Sequence, residues 1–163
     1  MHDSSHVWQE QFTQTAAPGH DDSGRPKTNR KLYARPNAAF SLYCTPRDYA
    51  AFVLEMMNPV RTAAHSLQAD TLQAILSPSS PPTGHALLLR RGQVGNGDTR
   101  YGLGWLIEPT PSGARIRHSG SNGTGFRSYV EFDPETGCGL IIMTNSTSGD
   151  DFHKELVEHI GRP

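Results

Sequence analysis

Residues Tyr101–Thr144 read YGLGWLIEPTPSGARIRHSGSNGTGFRSYVEFDPETGCGLIIMT, and the spacing of apolar residues in this stretch decides the fold. Successive side chains of a strand point to opposite faces, so a period of two marks a strand and a period near 3.6 marks a helix. Tyr101–Glu108 reads as a first strand, Pro109–Gly113 as a turn and Ala114–His118 as a second strand. Gly120–Gly125 is a Gly-rich connection. Phe126, Ser128, Val130 and Phe132 then alternate with Arg127, Tyr129 and Glu131, which predicts a third strand with one buried face. Asp133-Pro-Glu-Thr-Gly137 is a turn, and Cys138–Thr144 is a mostly apolar fourth strand expected to be buried on both faces. Together they predict an antiparallel meander.

Helical spacing flanks this region. At Thr45-Pro46-Arg47-Asp48 a capping hydroxyl, a proline suited to the first turn and an acid facing the positive helix end come in order. Tyr49, Phe52, Val53 and Met56 follow at i, i+3, i+4 and i+7, predicting a helix over 46–57 that Asn58-Pro59 ends. Asp70-Thr-Leu-Gln73 has the form of a capping box ahead of Ala74, Ile75 and Leu76, with Ser77-Pro78 as the stop. Residues 77–84 read as a Ser/Pro loop. In 85–100, Ala86–Leu89 fits a strand while the remainder is polar and Gly-rich, so the pattern settles neither. Ser148-Gly-Asp-Asp151 opens a last helix, 149–160, whose Phe152, Leu156, Val157 and Ile160 form a stripe expected to pack on the sheet, and Gly161 closes it. Residues 1–40 are polar and punctuated by Pro and Gly, which predicts a loop-rich arm ahead of a 41–163 domain. The fold class expected is α+β.

Composition narrows the function. The chain has 163 residues, the size of one ordinary domain, and 15 basic residues balance 16 acidic ones, leaving no basic footprint for nucleic acid or an anionic membrane surface. No apolar run approaches the roughly 18 residues of a membrane span. With 35% apolar residues, 16 glycines and 12 prolines, a modest core and many loops are expected. Cys44 and Cys138 match no metal or redox spacing and read as two buried thiols. The first residues, Met1-His-Asp-Ser-Ser-His6, have no positive start and no apolar run, so no export signal is read in them.

Five clusters invite chemistry. The run Gly120-Ser-Asn-Gly123-Thr-Gly125 lies between strands, lacks a Gly-Lys-Ser/Thr ending and has no helix behind it, so a structural turn is the better reading than a phosphate loop. His2 with His6, and Asp150, Asp151 with His153, have metal-like spacings, but an exposed terminus and helix capping explain them more simply. His20-Asp21-Asp22 reads as a solvated loop. His118-Ser119-Gly120 ends a strand where a glycine lets a ligand approach the backbone, and a strand-end histidine without a role fits the tripeptide as well.

The ordered stretches Ala38–Phe52, Tyr101-Gly-Leu-Gly-Trp105, His118-Ser-Gly-Ser121-Asn-Gly123, Tyr129–Pro134 and Leu140–Asn145 resemble the serine β-lactamase-related hydrolases, the family of class C β-lactamases, D-alanyl-D-alanine peptidases and broad esterases. The resemblance spans most of the chain but covers only the C-terminal half of the family's domain. It implies acyl-enzyme hydrolysis of an ester, amide or β-lactam without a metal or organic cofactor, in a family that is usually periplasmic or secreted. Its nucleophile and proton-transfer motifs, Ser-x-x-Lys and Tyr-x-Asn, are absent: Lys27, Lys31 and Lys154 are preceded three positions earlier by Gly24, Thr28 and Asp151, and no tyrosine has Asn two positions on. The third motif, Lys-Thr-Gly or His-x-Gly, is matched by His118-Ser119-Gly120.

The resemblance assigns His118 to tuning charge and protons, Ser119 to offering a hydroxyl, Gly120 to keeping the strand open and the backbone N–H of Ser121 to an oxyanion hole. Ser119 is a poor substitute nucleophile, because neighbours on a strand point to opposite faces and only His118 is adjacent. The chain alone is expected to be inactive. Completion is expected from an N-terminal half-domain, or from a second copy of the chain, along the edge strand 138–144, with a small acyl substrate then bound. The alternative is a non-catalytic ligand- or protein-binding module on the same fold.

Overall fold

The computed structural model describes residues 1–28, 30–57, 67–78 and 99–161. The helix end at Asn58-Pro59, most of the Ser/Pro loop and the run Ala86–Leu89 lie outside them. Among the described residues the elements run α1 (Phe12–Thr15), α2 (Pro46–Met57), α3 (Ala69–Leu76), β1 (Arg100–Tyr101), β2 (Leu106–Thr110), β3 (Gly113–Ser121), β4 (Arg127–Asp133), β5 (Cys138–Thr144) and α4 (Gly149–Ile160). The strands form one antiparallel sheet in sequence order, so the protein is α+β and the meander expected from the alternation is present.

Contacts between residues divide the chain into two units. One gathers Met1–Phe52, Ser119–Tyr129 and Ile141–Arg162, and the other Val53–His118 and Val130–Leu140.

In the first unit the N-terminal residues are more ordered than their polarity suggests. Trp8, Phe12, Tyr33, Phe40 and Tyr43 form a chain of ring contacts with centroids 5.4–6.0 Å apart. Thr45 caps α2 as its position predicts, its Oγ1 accepting the Asp48 N–H at 3.1 Å. Asp48 does more than face the helix end. Its buried carboxylate accepts the Ser4 hydroxyl at 2.6 Å and the backbone N–H groups of Asp3 and His2, bonds that hold its pKa below the ordinary value despite the opposing effect of burial.

Helix α4 begins after Ser148, but the Ser148 side chain makes no capping bond. Its buried residues are Gly149, His153 and Val157, at i, i+4 and i+8, while Phe152 and Ile160 are exposed. Of the expected stripe Val157 is buried and Leu156 half-buried, and the buried face is centred on Gly149, His153 and Val157 rather than on Phe152 and Ile160. Close approach rotates the helix: a Cβ on Gly149 would lie 1.8 Å from Thr144 Oγ1, and the His153 ring packs on Tyr129 at 6.0 Å.

In the second unit, α3 starts one residue before Asp70, with Gln68 at the cap and no side-chain capping bond, so the capping box is not formed. The stretch read as one strand, Tyr101–Glu108, is broken into β1 and β2. Gly102 N–H donates to the Trp105 carbonyl at 2.9 Å, and Gly104 takes φ +86°, a conformation that favours glycine. The Ile75 carbonyl accepts the Leu103 N–H at 3.0 Å and leaves no room for a Cβ at Gly102. Beyond the break, β2 continues through Pro109, which pairs with Ala114. Asp133 closes the β4–β5 turn: its Oδ1 accepts the N–H of Glu135 at 2.8 Å, and its carbonyl that of Gly137 at 3.0 Å.

Strand burial departs from expectation in two places. All of Tyr129–Asp133 is buried, so β4 is covered on both faces, whereas Phe126 precedes the strand and is exposed. In β5 only Ile142 is buried, and the strand is not covered on both faces. It lies at the outer position of the sheet, which reduces its cover. The two cysteines are free but not both buried: Cys138 is exposed, and Cys44 is half-buried with its thiol pushed up to about 11 by desolvation and by the charge of Asp48.

The burial of β4 on its second face has a specific cause. Arg115 Nε lies 3.6 Å from Glu131 Oε1, Arg115 Nη1 3.8 Å from Glu108 Oε1, and Arg117 Nη2 3.5 Å from Glu108 Oε2. Glu131 is 0% exposed and Arg117 2%. Buried charges persist only when paired, and removing one partner of such a set typically costs about 3–5 kcal/mol. Glu131→Gln should destabilise the protein by about 3 kcal/mol in denaturant unfolding, whereas Glu135→Gln, on the exposed turn, should stay within about 0.5 kcal/mol. Equal effects of the two substitutions would refute the network's role.

Candidate functional site

Strand β3 carries the whole sequence-predicted site and runs further than the alternation suggested, through Gly120 and Ser121. The polar Ser-Gly-Ser segment reads as a connection by composition, yet its backbone stays extended. Strand geometry then places His118 and Gly120 on one face and Ser119 and Ser121 on the other.

His118 is held by an aromatic neighbour. Trp105 lies edge-on to it, with ring centres 6.0 Å apart and planes at 74°, and Trp105 also packs on Phe132 at 5.3 Å. His118 is exposed, yet desolvation by the protein beside the ring disfavours the charged form and lowers its pKa below the ordinary value. In its neutral form the imidazole has one nitrogen to donate and one to accept.

Gly120 is required for space rather than for backbone conformation. A Cβ there would stand 2.5 Å from Ser128 Oγ, inside any normal contact. Ser121 ends the strand, and the connection beyond it is fastened in several places. Asn122 Nδ2 donates to the Phe40 carbonyl at 3.3 Å, Asn122 Oδ1 accepts the N–H and hydroxyl of Thr124, and Lys27 Nζ donates to the Gly123 carbonyl at 3.0 Å. Gly123 and Gly125 take φ +75° and +89°, and a Cβ on Gly125 would strike the His20 backbone at 2.8 Å. The Gly-rich run is thus a turn pressed against another piece of main chain, as its position between strands implies.

The other sequence-level clusters do not assemble. Among the described residues no group of three or more His, Cys, Asp or Glu is placed to hold a metal ion. Asp150 is instead paired with Arg127, Oδ2 to Nε at 2.9 Å, and buried His153 has a pKa lowered by desolvation. His20 Nδ1 lies 2.9 Å from the Asn145 carbonyl, and Asp21 accepts the Ser23 hydroxyl and backbone N–H groups that hold its pKa near 2.

The sequence reading missed one feature. An open surface depression is lined by Lys31, Tyr33, Phe40, Ser121 and Asn122, four of them exposed, so a stretch of the N-terminal arm stands beside the end of β3. Only the basic bias of the arm hinted at it.

Comparisons with known proteins agree with this architecture. The sequence profile of the family described as Beta-lactamase matches residues 1–161, and the chain belongs to that family. No curated protein matches the sequence. Among solved structures, the octameric penicillin-binding protein homologue from Pyrococcus abyssi is similar with a TM-score of 0.70 at 20% identity, over 99% of this chain and 35% of that one. A beta-lactamase/D-alanine carboxypeptidase from Pseudomonas syringae is similar at 0.66 and 15% identity, over 98% of this chain and 49% of that one. A class C beta lactamase is similar at 0.64 and 17% identity, over 90% and 44%. The chain spans between about a third and a half of the length of these proteins.

Two outcomes follow. In a proton NMR titration, with assignment by His118→Gln, the His118 ring should titrate below 6.5. Its folded-state pKa is depressed, so it lowers stability as pH falls through 6.5 toward that value; a midpoint at or above 6.5 contradicts the packing described. Gly120→Ala should destabilise by about 1 kcal/mol, because Ser128 must rotate away, and adding Ser128→Ala should recover most of the loss. Strict additivity in that double-mutant cycle would mean that the two positions do not meet.

Proposed function

We propose that this chain is the C-terminal portion of a β-lactamase-like serine hydrolase domain, which when completed hydrolyses an ester, amide or β-lactam through an acyl-enzyme. The observation that carries the reading is the His118-Ser119-Gly120-Ser121 run on β3, in a member of the Beta-lactamase family that lacks both Ser-x-x-Lys and Tyr-x-Asn. In this reading His118 serves as a neutral imidazole, Ser119 offers its hydroxyl to the substrate, Gly120 keeps the strand surface open, and Ser121 supplies one backbone N–H to the oxyanion hole. The serine nucleophile, its lysine and the second oxyanion donor come from a segment outside this chain.

Acyl transfer needs nucleophile and base within hydrogen-bond reach of each other. Without them only binding and oxyanion stabilisation remain, the residual part of such catalysis. The chain alone is therefore inactive toward acyl substrates. Completion runs along β5, Cys138–Thr144, whose outer position in the sheet supports docking of an N-terminal half-domain or a second copy. A site motif present without its nucleophile also fits a non-catalytic ligand- or protein-binding module, the second reading, and the depression beside Ser121 favours it.

The two are separated by intact-mass measurement after incubation with a fluorescent penicillin and, separately, an activated fluorophosphonate. The chain alone should remain unlabelled with a cooperative melt. A verified complex with a half-domain that carries Ser-x-x-Lys should label stoichiometrically on that serine. Persistent inactivity of that complex would sink the hydrolase reading, and labelling of the chain alone would show that the nucleophile was misassigned.

A further inference from the structure

We propose that the second half of α4 is an acid-released segment: His153 pins it to β4 as a neutral imidazole, and uptake of a proton by that ring sets it free. The inference needs neither a nucleophile nor a partner chain, and so stands apart from the hydrolase reading.

The helix is fastened unequally along its length. The residues that lead into it are tied down: the Thr147 N–H donates to the His20 carbonyl at 3.2 Å, the Thr147 hydroxyl bonds the Asp22 carboxylate, and the Gly149 N–H donates to the Ser146 carbonyl at 3.1 Å. In the first turn Asp150 pairs with Arg127 at 2.9 Å, and Gly149 stands too close to Thr144 and Arg127 to admit a Cβ. Beyond that turn the buried residues are His153 and Val157. Of the remaining residues from Lys154 to Ile160, Leu156 is half-buried and the others are exposed. Two side chains therefore hold the far part of the helix, and one of them titrates.

The surroundings of His153 suit its neutral form. The residue is 5% exposed, its ring lies on Tyr129 with centres 6.0 Å apart, and Nε2 is a buried atom without a hydrogen-bond partner among the described residues. In the neutral ring one nitrogen is a donor and the other an acceptor, whereas in the imidazolium both are donors and carry charge. A buried charged donor without an acceptor costs far more than a neutral nitrogen in the same place.

The neighbouring charges do not remove that cost. From β4 the ring meets Tyr129 and the Arg127 guanidinium, which repels a second cation. Residues 141–144 of β5 carry no ionisable side chain. On α4 itself Asp150 attracts a proton to the ring, but its carboxylate is already bound to Arg127. The outcome is a His153 pKa below the ordinary value, with burial the largest cause. A histidine in water is free of that penalty, so below about pH 6.5 the released helix binds the proton more strongly than the docked one. Release is then favoured by up to about tenfold per pH unit, the limit for one proton. The ties of Thr147 and Asp150 keep the start of the helix in place, and its far part swings away from β4.

The test is amide hydrogen exchange of the full chain, followed by NMR from about pH 7 to about 5.5, above the ordinary carboxylate range. Corrected for intrinsic exchange rates, opening at the amides of residues 157–160 should rise about three- to eightfold across that range. The Ser5 and Tyr43 amides, which bond each other's carbonyls at 3.0 and 2.9 Å in the same unit, should not follow. His153→Phe keeps a ring against Tyr129 and should abolish the rise, whereas His118→Gln and His159→Gln should leave it in place. In the unaltered chain the His153 ring should titrate below 6.5 and in step with the exchange. Opening that stays constant with pH, a rise that survives in His153→Phe, an equal rise at Ser5 and Tyr43, or a ring that titrates at 6.5 or above would each overturn the proposal. No acylating agent is involved, so failure of the labelling experiment leaves this result standing, and the reverse holds too.

Discussion

Two guanidinium groups held inside a sheet constrain the rest of the structure. Arg115 and Arg117 alternate with Ile116 on β3, and on their side of the strand Glu108 from β2 and Glu131 from β4 complete an ion network. Taking such charges out of water is expensive unless each finds its partner. Strand side chains have a period of two, so a slip of one residue would send both arginines to the opposite face and strand the carboxylates. The network therefore does little for net stability and much for register. With Glu108 opposite Arg115 and Leu106 opposite Arg117, the next residue of β3 is placed as well: His118 comes beside Trp105.

That constraint explains which parts of the fold were legible in the sequence. Local signals read well where a local interaction decides. Thr45 caps α2, Gly137 closes the turn at Asp133, and Cys138–Thr144 is a strand over the residues its apolar run marks. Signals failed where a distant partner decides. Glu131 and Arg117 look like solvent-facing positions in the alternation, but their charges meet across three strands and are buried there. Phe152 and Ile160 look like a core stripe of α4, yet the helix turns on the contacts of Gly149 and His153 and leaves them outside. Apolar periodicity counts side chains and is blind to the glycines that let two backbones approach.

The candidate site was half legible for the same reason. His118-Ser119-Gly120 is contiguous and visible as a motif, while the depression beside Ser121 is assembled from positions some ninety residues apart. Nothing in residues 31–40 marks them as one wall of that depression. Their placement follows from one hydroxyl, that of Tyr43, bonding the backbone on both sides of Leu32, and from the Asn122 amide on the Phe40 carbonyl. Loops acquire defined function when a rigid element fixes them, and here aromatic rings and strand β3 share that task.

A site divided in this way separates positioning from chemistry. The elements that orient His118 and shape the depression lie within this chain and draw on interactions present in it: the edge contact with Trp105, the Gly120 approach to Ser128, and the clamp of Tyr43. The missing nucleophile would contribute reactivity to a surface already organised, not the organisation itself. Preorganised donors reduce the reorganisation needed at the moment of reaction, and they lower the entropic cost of capturing a ligand that never reacts. The same geometry would serve either proposed reading, a hydrolase completed by another segment or a module that only binds. What distinguishes the two is whether a serine with a base beside it ever arrives within hydrogen-bond reach of the strand end that His118 and Ser121 define.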